Sequence, residues 1–284
     1  MPEWGIYRGV SSYEAQPEKS AAGAPEVVDP TAVLKAEAAV KADAVEPLRS
    51  LAGVAPGEDP RDVLRDVRAH LATFMMEYKF ALDEVETKTN ILREEFELAN
   101  DYSPIEHVKS RLKSLESLAE KVARMNVPSD LASIREEIRD IAGIRVTTAF
   151  VEDTYLIADM LTRQRDLTVL ARKDYIAEPK ENGYQSLHLV VSVPVFLSDR
   201  TVEVPVEVQI RTIAMDFWAS VEHQIYYKYA GQVPPHLNLT LTEVARIAAA
   251  LDMEMGALRS EVQSLAQEAP QVRGETFRPD DPLR

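Results

Sequence analysis

A short stretch near the middle of the chain, VEVQIRT (206–212), alternates apolar and polar residues. Val206, Val208 and Ile210 point one way along a strand, and Glu207, Gln209 and Arg211 point the other. A carboxylate, an amide and a guanidinium on one strand face need partners if they are buried or line a cleft. A ligand with phosphates and a metal would supply them. Upstream, KDYIAEPKENGYQSLHLVV (173–191) adds Lys180, Tyr184 and His188. DIAGIR (140–145) adds Asp140 and Arg145, and HVKSRLKSLESLAEKVAR (107–124) concentrates Lys109, Arg111, Lys113, Lys121 and Arg124. Clustered bases suit a polyphosphate. Taken singly, each feature has a plainer reading. The bases could pair with Glu116 and Glu120 on a solvated helix face, Tyr184 could simply pack, and His188 could be a satisfied core histidine.

The elements that must position these residues follow from periodicity. Apolar residues recur every three or four positions from Leu64 through Val67, Leu71, Phe74, Tyr78, Leu82, Val85, Thr89 and Leu92 to Phe96. That predicts one long helix over about 61–98, opening at Asp59-Pro60. A second stripe, Leu241, Val244, Ile247, Leu251, Met255, Leu258, Val262 and Leu265, predicts another over about 240–267. Each stripe either packs on the core or also forms a subunit interface. Between them, a short helix is expected after Ser103-Pro104, then helices over about 130–140 and 152–164. Strands are expected at 143–150, about 167–175, 187–195 and 202–210, before a helix from near Thr212 that buries Phe217, Trp218, Val221 and Ile225. Asp140 then ends a helix, Gly143 allows a tight turn and Arg145 projects from the next strand. The fold class is α/β, a mixed sheet of about five strands flanked by helices, with long helices at both ends.

Composition narrows the functional classes. The chain has 284 residues, 45% hydrophobic, with a net charge of −15 and no cysteine. The charge argues against a DNA-coating role. The lack of cysteine removes disulfides and thiolate metal sites and fits a reducing compartment. No signal-peptide pattern or membrane-length apolar run occurs, so a cytosolic protein is expected. Residues 1–60 are rich in Ala, Pro, Glu and Val without an apolar period and read as a disordered tail. So does 269–284, leaving 61–268 as the folded domain.

In their order, SPIEHVKSRLKSLESL, DIAGIRV, KDYIAEPKENGYQSLH and VEVQIRT…FWASVEH closely resemble the (p)ppGpp synthetase domain of the RelA/SpoT superfamily. In compactness the chain resembles a small alarmone synthetase, with a nucleotidyltransferase-like fold. The resemblance implies transfer of the β,γ-pyrophosphoryl group of ATP to the 3′-hydroxyl of GDP or GTP, or GMP, with release of AMP. Long members carry a hydrolase domain with a His-Asp metal site. This chain is too short for one and has no His-Asp dipeptide, so synthesis without hydrolysis is expected.

The resemblance also implies roles. A loop bearing Arg111 and Lys113 would hold the ATP phosphates, with Ser117, Lys121 and Arg124. Arg111 and Arg145 would sandwich adenine. Asp140 and Glu207 would coordinate Mg²⁺, and Glu207 would also be the base for the 3′-hydroxyl. Tyr184 would stack on guanine, with Gly183 leaving room for the flat base. Lys180 and His188 would meet acceptor phosphates or the transferring group, and Gln209 would support the site. Small synthetases commonly form tetramers through their terminal helices, so a homotetramer is expected. In relatives activated by product, lysines lie on the first long helix. Here Glu86 and Asn90 fall at those places and Asp216 replaces a neutral amide, so little activation is expected. Ser110, Ala171 and Gln185 depart from common family residues. Two other readings stay open: a toxin-like pyrophosphokinase of tRNA 3′ ends, and a non-catalytic sensor of nucleotide or single-stranded RNA.

Overall fold

The computed structural model describes residues 60–99, 102–128, 130–229 and 233–268. The two segments expected to be disordered tails lie outside the described residues, apart from Pro60. Element order is α1 (Pro60–Ala99), β1 (His107–Leu112), α2 (Leu115–Met125), α3 (Leu131–Glu137), β2 (Ala142–Thr148), α4 (Val151–Thr162), β3 (Thr168–Asp174), β4 (Leu187–Phe196), β5 (Thr201–Thr212), α5 (Ile213–Lys228) and α6 (Pro235–Glu268). The strands form one sheet in the order β1-β2-β5-β4-β3. β2 and β5 run parallel, and the other neighbours are antiparallel. The expected mixed five-stranded α/β architecture is therefore present.

Paired residues share a face of the sheet. One face carries Ile144, Val146, Val206, Val208, Ile210, Leu187, Leu189 and Val191, all buried. α1 and α4 cover it. The expected α1 stripe does this work through Val67, Phe74, Tyr78, Leu82, Val85, Thr89 and Leu92. Buried Thr89 donates its hydroxyl to the Val85 carbonyl at 2.8 Å, which removes the cost of an unpaired hydroxyl. The other face is assembled from two polar rows. Lys109, Arg145, Gln209, His188 and Lys173 lie side by side, and next to them Arg111, Gly143, Glu207, Val190 and Ala171.

Several sequence expectations change. Of the α5 residues expected to be buried, Trp218 is, but Phe217 is exposed. No helix follows Ser103-Pro104. Pro104 and Ile105 are buried in an extended segment, the Glu106 amide bonds the Thr147 carbonyl at 2.9 Å, and β1 follows as an edge strand. Pairing with β2 over 107–112 outweighs the local preference for a Pro-initiated turn of helix. Gly143 is not a turn residue but sits inside β2, between Arg111 and Glu207. Asp140 does not end a helix, because α3 stops at Glu137 and a turn intervenes.

The stripe on α6 resolves in an unexpected way. Leu241, Ala245 and Asp252, with Arg259 one heptad further, face the domain. Ile247, Leu251, Leu258, Val262 and Leu265 are exposed. Asp252 receives the Thr212 hydroxyl at 2.7 Å, and Arg259 pairs with buried Asp153 at 2.9 Å. Arg259 also stacks on Tyr102 and Phe150. No described helix is long and apolar enough to cross a membrane.

Candidate active site

The two polar rows make the floor of the site, and the loops around them supply its walls. Ser114 caps α2 by accepting from the Ser117 amide at 3.2 Å. This aims one face of α2, carrying Ser117, Lys121 and Arg124 at i, i+4 and i+7, along the sheet edge. Lys121 Nζ reaches Asp140 Oδ1 at 2.7 Å, and Lys113 Nζ lies 3.4 Å from Oδ2. Burial opposes the charge of Asp140, but Lys121 and Lys113 outweigh it and hold the carboxyl below its ordinary range. Oδ1 is buried and, despite its nearby ammonium, accepts no aligned hydrogen bond. Arg111 is on strand β1 rather than in a loop with Lys113, and it is exposed. Arg124 is exposed in the last turn of α2.

At the centre, five side chains close a ring. Arg211 Nη2 donates to the Tyr184 hydroxyl at 3.2 Å. That hydroxyl lies 2.7 Å from His188 Nε2, and His188 Nδ1 lies 3.4 Å from Glu207 Oε1. Gln209 Nε2 donates to Glu207 Oε2 at 2.9 Å, and Arg211 Nη2 returns to Gln209 Oε1. With a proton on Nδ1, His188 can donate to Glu207 while Nε2 accepts from the Tyr184 hydroxyl. Burial raises the cost of charging Glu207, but His188 and Gln209 more than offset it, so its carboxyl also sits below the ordinary range. Burial pushes the Tyr184 hydroxyl up.

Arg211 is buried, as is its Nε, which has no partner. The same is true of Arg145 Nε. Both guanidiniums meet Asp216 Oδ1 from the first turn of α5, Arg145 at 3.1 Å and Arg211 at 3.5 Å. Asp216 is thus engaged within the site. Three of the four buried side-chain atoms lacking a hydrogen bond among the described residues belong to Asp140, Arg145 and Arg211. Unsatisfied polar atoms clustered in a cleft mark a place built for a ligand.

On the far side, Lys180 Nζ sits 4.6 Å from the Tyr175 ring and 4.8 Å from the Tyr184 ring. A cavity of about 230 Å³ opens there, lined by Ala171, Lys173, Tyr175, Lys180, His188, Val190 and Glu207. Ala171 brings no charge to that wall, and Lys173, two residues along on the same face, supplies a cation. Ser110 points to the opposite face of the sheet. The Gln185 amide donates to the Ile176 carbonyl at 3.3 Å. A larger cavity of about 820 Å³ lies between α1 and α3. Its Glu77 is already paired with Arg135 and Arg200, and it holds none of the motif residues.

Gly183 plays a different part from the one expected. Its φ is +86°, and a Cβ there would lie 2.4 Å from the Ala245 Cβ of α6. Its missing side chain makes room for a helix rather than for a base. Sequence reasoning passed over Arg211 and Asp216 as site residues. The alternation from Glu207 pointed to Arg211; nothing in the sequence signalled that α5 would swing Asp216 over both arginines.

The site therefore presents lysines on one side, the Asp140 and Glu207 carboxylates, and the Tyr184 ring on the other. Residues 110–232 match the family model described as a region found in RelA / SpoT proteins. The GTP pyrophosphokinase YwaC of Bacillus subtilis is 45% identical over 201 residues, covering 71% of this chain and 96% of that protein. The structure of small alarmone synthetase 1 from Bacillus subtilis bound to its product pppGpp aligns with TM-score 0.64 and 41% identity, over 68% of this chain and 98% of that one. The same synthetase bound to AMPCPP aligns with TM-score 0.59 and 37% identity, over 69% and 98%.

Proposed function

The chain belongs to the RelA/SpoT family of small alarmone synthetases, and from that premise we propose that it is a GTP pyrophosphokinase. It moves the β,γ-pyrophosphoryl group of ATP to the 3′-hydroxyl of a guanine nucleotide and releases AMP. The observation that carries this reading is the common face of the sheet. There Asp140 with its lysines lies on the β2 side and the Tyr184–His188–Glu207 ring on the β4–β5 side.

The roles are those the family resemblance implies. Lys113, Lys121, Ser117 and Arg124 neutralise and orient the ATP phosphates, while Arg111 and Arg145 flank adenine. Glu207 accepts the proton of the 3′-hydroxyl, helped by its place in the ring. His188 and Lys180 meet the acceptor phosphates or the transferring group, Gln209 holds Glu207, and the Tyr184 ring stacks on guanine. Positioning and charge neutralisation supply most of the acceleration.

A divalent cation fits the residues present. The Asp140 charge acts on Glu207, and both carboxyls are held below their ordinary range. No group of three or more metal-ligating side chains exists among the described residues. Mg²⁺, which takes one or two carboxylates and completes its shell with phosphate oxygens and water, suits such a pair. When bound, it neutralises charge developing on the transferring group.

The exposed stripe of α6 supports assembly as a homotetramer, and light scattering giving a monomer at micromolar concentration would overturn that part. Glu86 and Asn90 on α1, and the engagement of Asp216 by two arginines, support a synthetase that added product does not activate. Incubating the protein with labelled ATP, Mg²⁺ and each of GMP, GDP, GTP and tRNA tests the reaction. AMP and a 3′-pyrophosphorylated guanine nucleotide are expected. Accumulation of ADP, or labelling of tRNA alone, would overturn it.

A further inference from the structure

Ile176 anchors the start of the loop that carries Tyr184 on the main core, but the Tyr184 ring does not rest there. The ring packs instead against a small separate cluster formed by Trp218 and Ala219 of α5 and Leu241 and Ala245 of α6. Its centroid lies 6.4 Å from that of Trp218. Trp218 Nε1 donates to the Leu241 carbonyl at 2.8 Å and fixes α5 to α6. The loop is pinned to the same wedge by polar contacts. Asn182 Nδ2 donates to Glu222 Oε1 of α5 at 3.1 Å, and Asn182 Oδ1 accepts from the Tyr184 amide at 3.1 Å.

The closest approach is at Gly183. Its left-handed backbone lays the loop directly on the Ala245 methyl, with no space for a single added carbon. A packed interface of this kind transmits displacement instead of absorbing it. Whatever stands at 245 therefore sets the height of the backbone one residue before the aromatic platform. The ATP-phosphate side is held separately, by Lys113 and Lys121 on Asp140; only Arg145 is joined to the platform, through Asp216 and Arg211.

We propose that Ala245 is a positioning residue for the acceptor nucleotide: by seating Gly183, the last helix fixes the Tyr184 platform and so sets affinity for the guanine substrate without touching it. This rests on reading Tyr184 as the guanine platform. It also makes the placement of α6, whose outer stripe is exposed, a determinant of acceptor binding rather than of ATP binding.

The test compares wild type, Ala245→Leu and, as a control at an exposed site of the same helix, Ala250→Leu. In Ala245→Leu the KM for GTP should rise about tenfold or more, as expected when a base stack is misplaced. The KM for ATP should stay within about threefold. Amide hydrogen exchange should quicken over 180–186 and stay unchanged across β2 and β5. Ala250→Leu should change none of these. Unaltered exchange over 180–186 in Ala245→Leu, or equal rises in both KM values, would overturn the proposal. Ala245→Ser, one atom larger than alanine, carries the same test should the leucine variant not fold. A wild type that makes no pyrophosphorylated guanine nucleotide would sink the functional reading. The exchange result would still decide whether Ala245 seats the loop.

Discussion

The Tyr184 hydroxyl lies 2.7 Å from His188 Nε2 while its ring packs on Trp218, so one residue belongs both to the polar ring around Glu207 and to the apolar wedge behind it. A stacking platform needs only the aromatic face. A tyrosine tied by its hydroxyl to His188 and Arg211 also holds the network around Glu207 in register.

Two substitutions separate those duties. Tyr184→Ala removes the platform and should cost about 1–3 kcal/mol of acceptor binding, read as a rise in the KM for GTP with little change for ATP. Tyr184→Phe keeps the ring but deprives His188 and Arg211 of a partner. It should lose about 0.5–1.5 kcal/mol, appearing mainly in kcat. The sequence alone suggests a mild effect for Tyr184→Phe; the hydroxyl contacts raise that expectation. Steady-state kinetics with each substrate varied in turn checks both.

Glu207→Gln should lower kcat by about 10²–10⁴-fold while the protein remains folded at pH 7. The pH dependence has a definite sign. Both Glu207 and Asp140 are held below their ordinary values, so each contributes stability that is present above its unfolded value. That stability is lost as pH falls through the lowered folded value. Urea unfolding of wild type and Glu207→Gln should therefore differ most near neutrality. The two curves should converge only below about pH 4.3, the ordinary glutamate value.

Gly143→Ala offers a probe of the donor floor. A methyl there meets only the Arg111 and Glu207 carbonyl oxygens at 3.9 Å, an ordinary contact. Losing chain entropy in the unfolded state should stabilise the fold by about 0.4–1 kcal/mol. The same methyl rises between Arg111 and Glu207 on the site face, so the KM for ATP should increase several-fold. A melting temperature that holds or climbs while ATP affinity falls is the expected outcome.

Arg259→Ala should destabilise the chain without touching the site. It strips the guanidinium from buried Asp153, leaving only the Tyr102 hydroxyl as a partner, and removes the stack on Tyr102 and Phe150. Breaking a buried pair costs about 3–5 kcal/mol. Retained Tyr102 places the effect at the lower end, and chemical denaturation measures it.

Much of this protein was legible in its residues. The alternation from Val206 to Arg211 gave a strand with one apolar and one chemical face, because side chains alternate with period two whatever the tertiary context. The α1 stripe gave a core helix for the analogous reason at period 3.6. The ordered motifs named the family, since several multi-residue patterns in sequence constrain far more than any one of them.

The rest depended on distance between segments far apart in the chain. β1 formed where a Pro-initiated helix was expected, because the edge of β2 offered backbone partners that local propensity cannot foresee. The two lysines on Asp140, the two arginines on Asp216 and the ring through Tyr184 each join elements many residues apart. Gly183 was read as space for a base, and packing gave that space to Ala245. Beyond Leu241 the α6 stripe likewise proved to be the outer face, because the domain is met there by Ala245, Asp252 and Arg259 instead. Periodicity reports which residues share a face; only packing decides what that face meets.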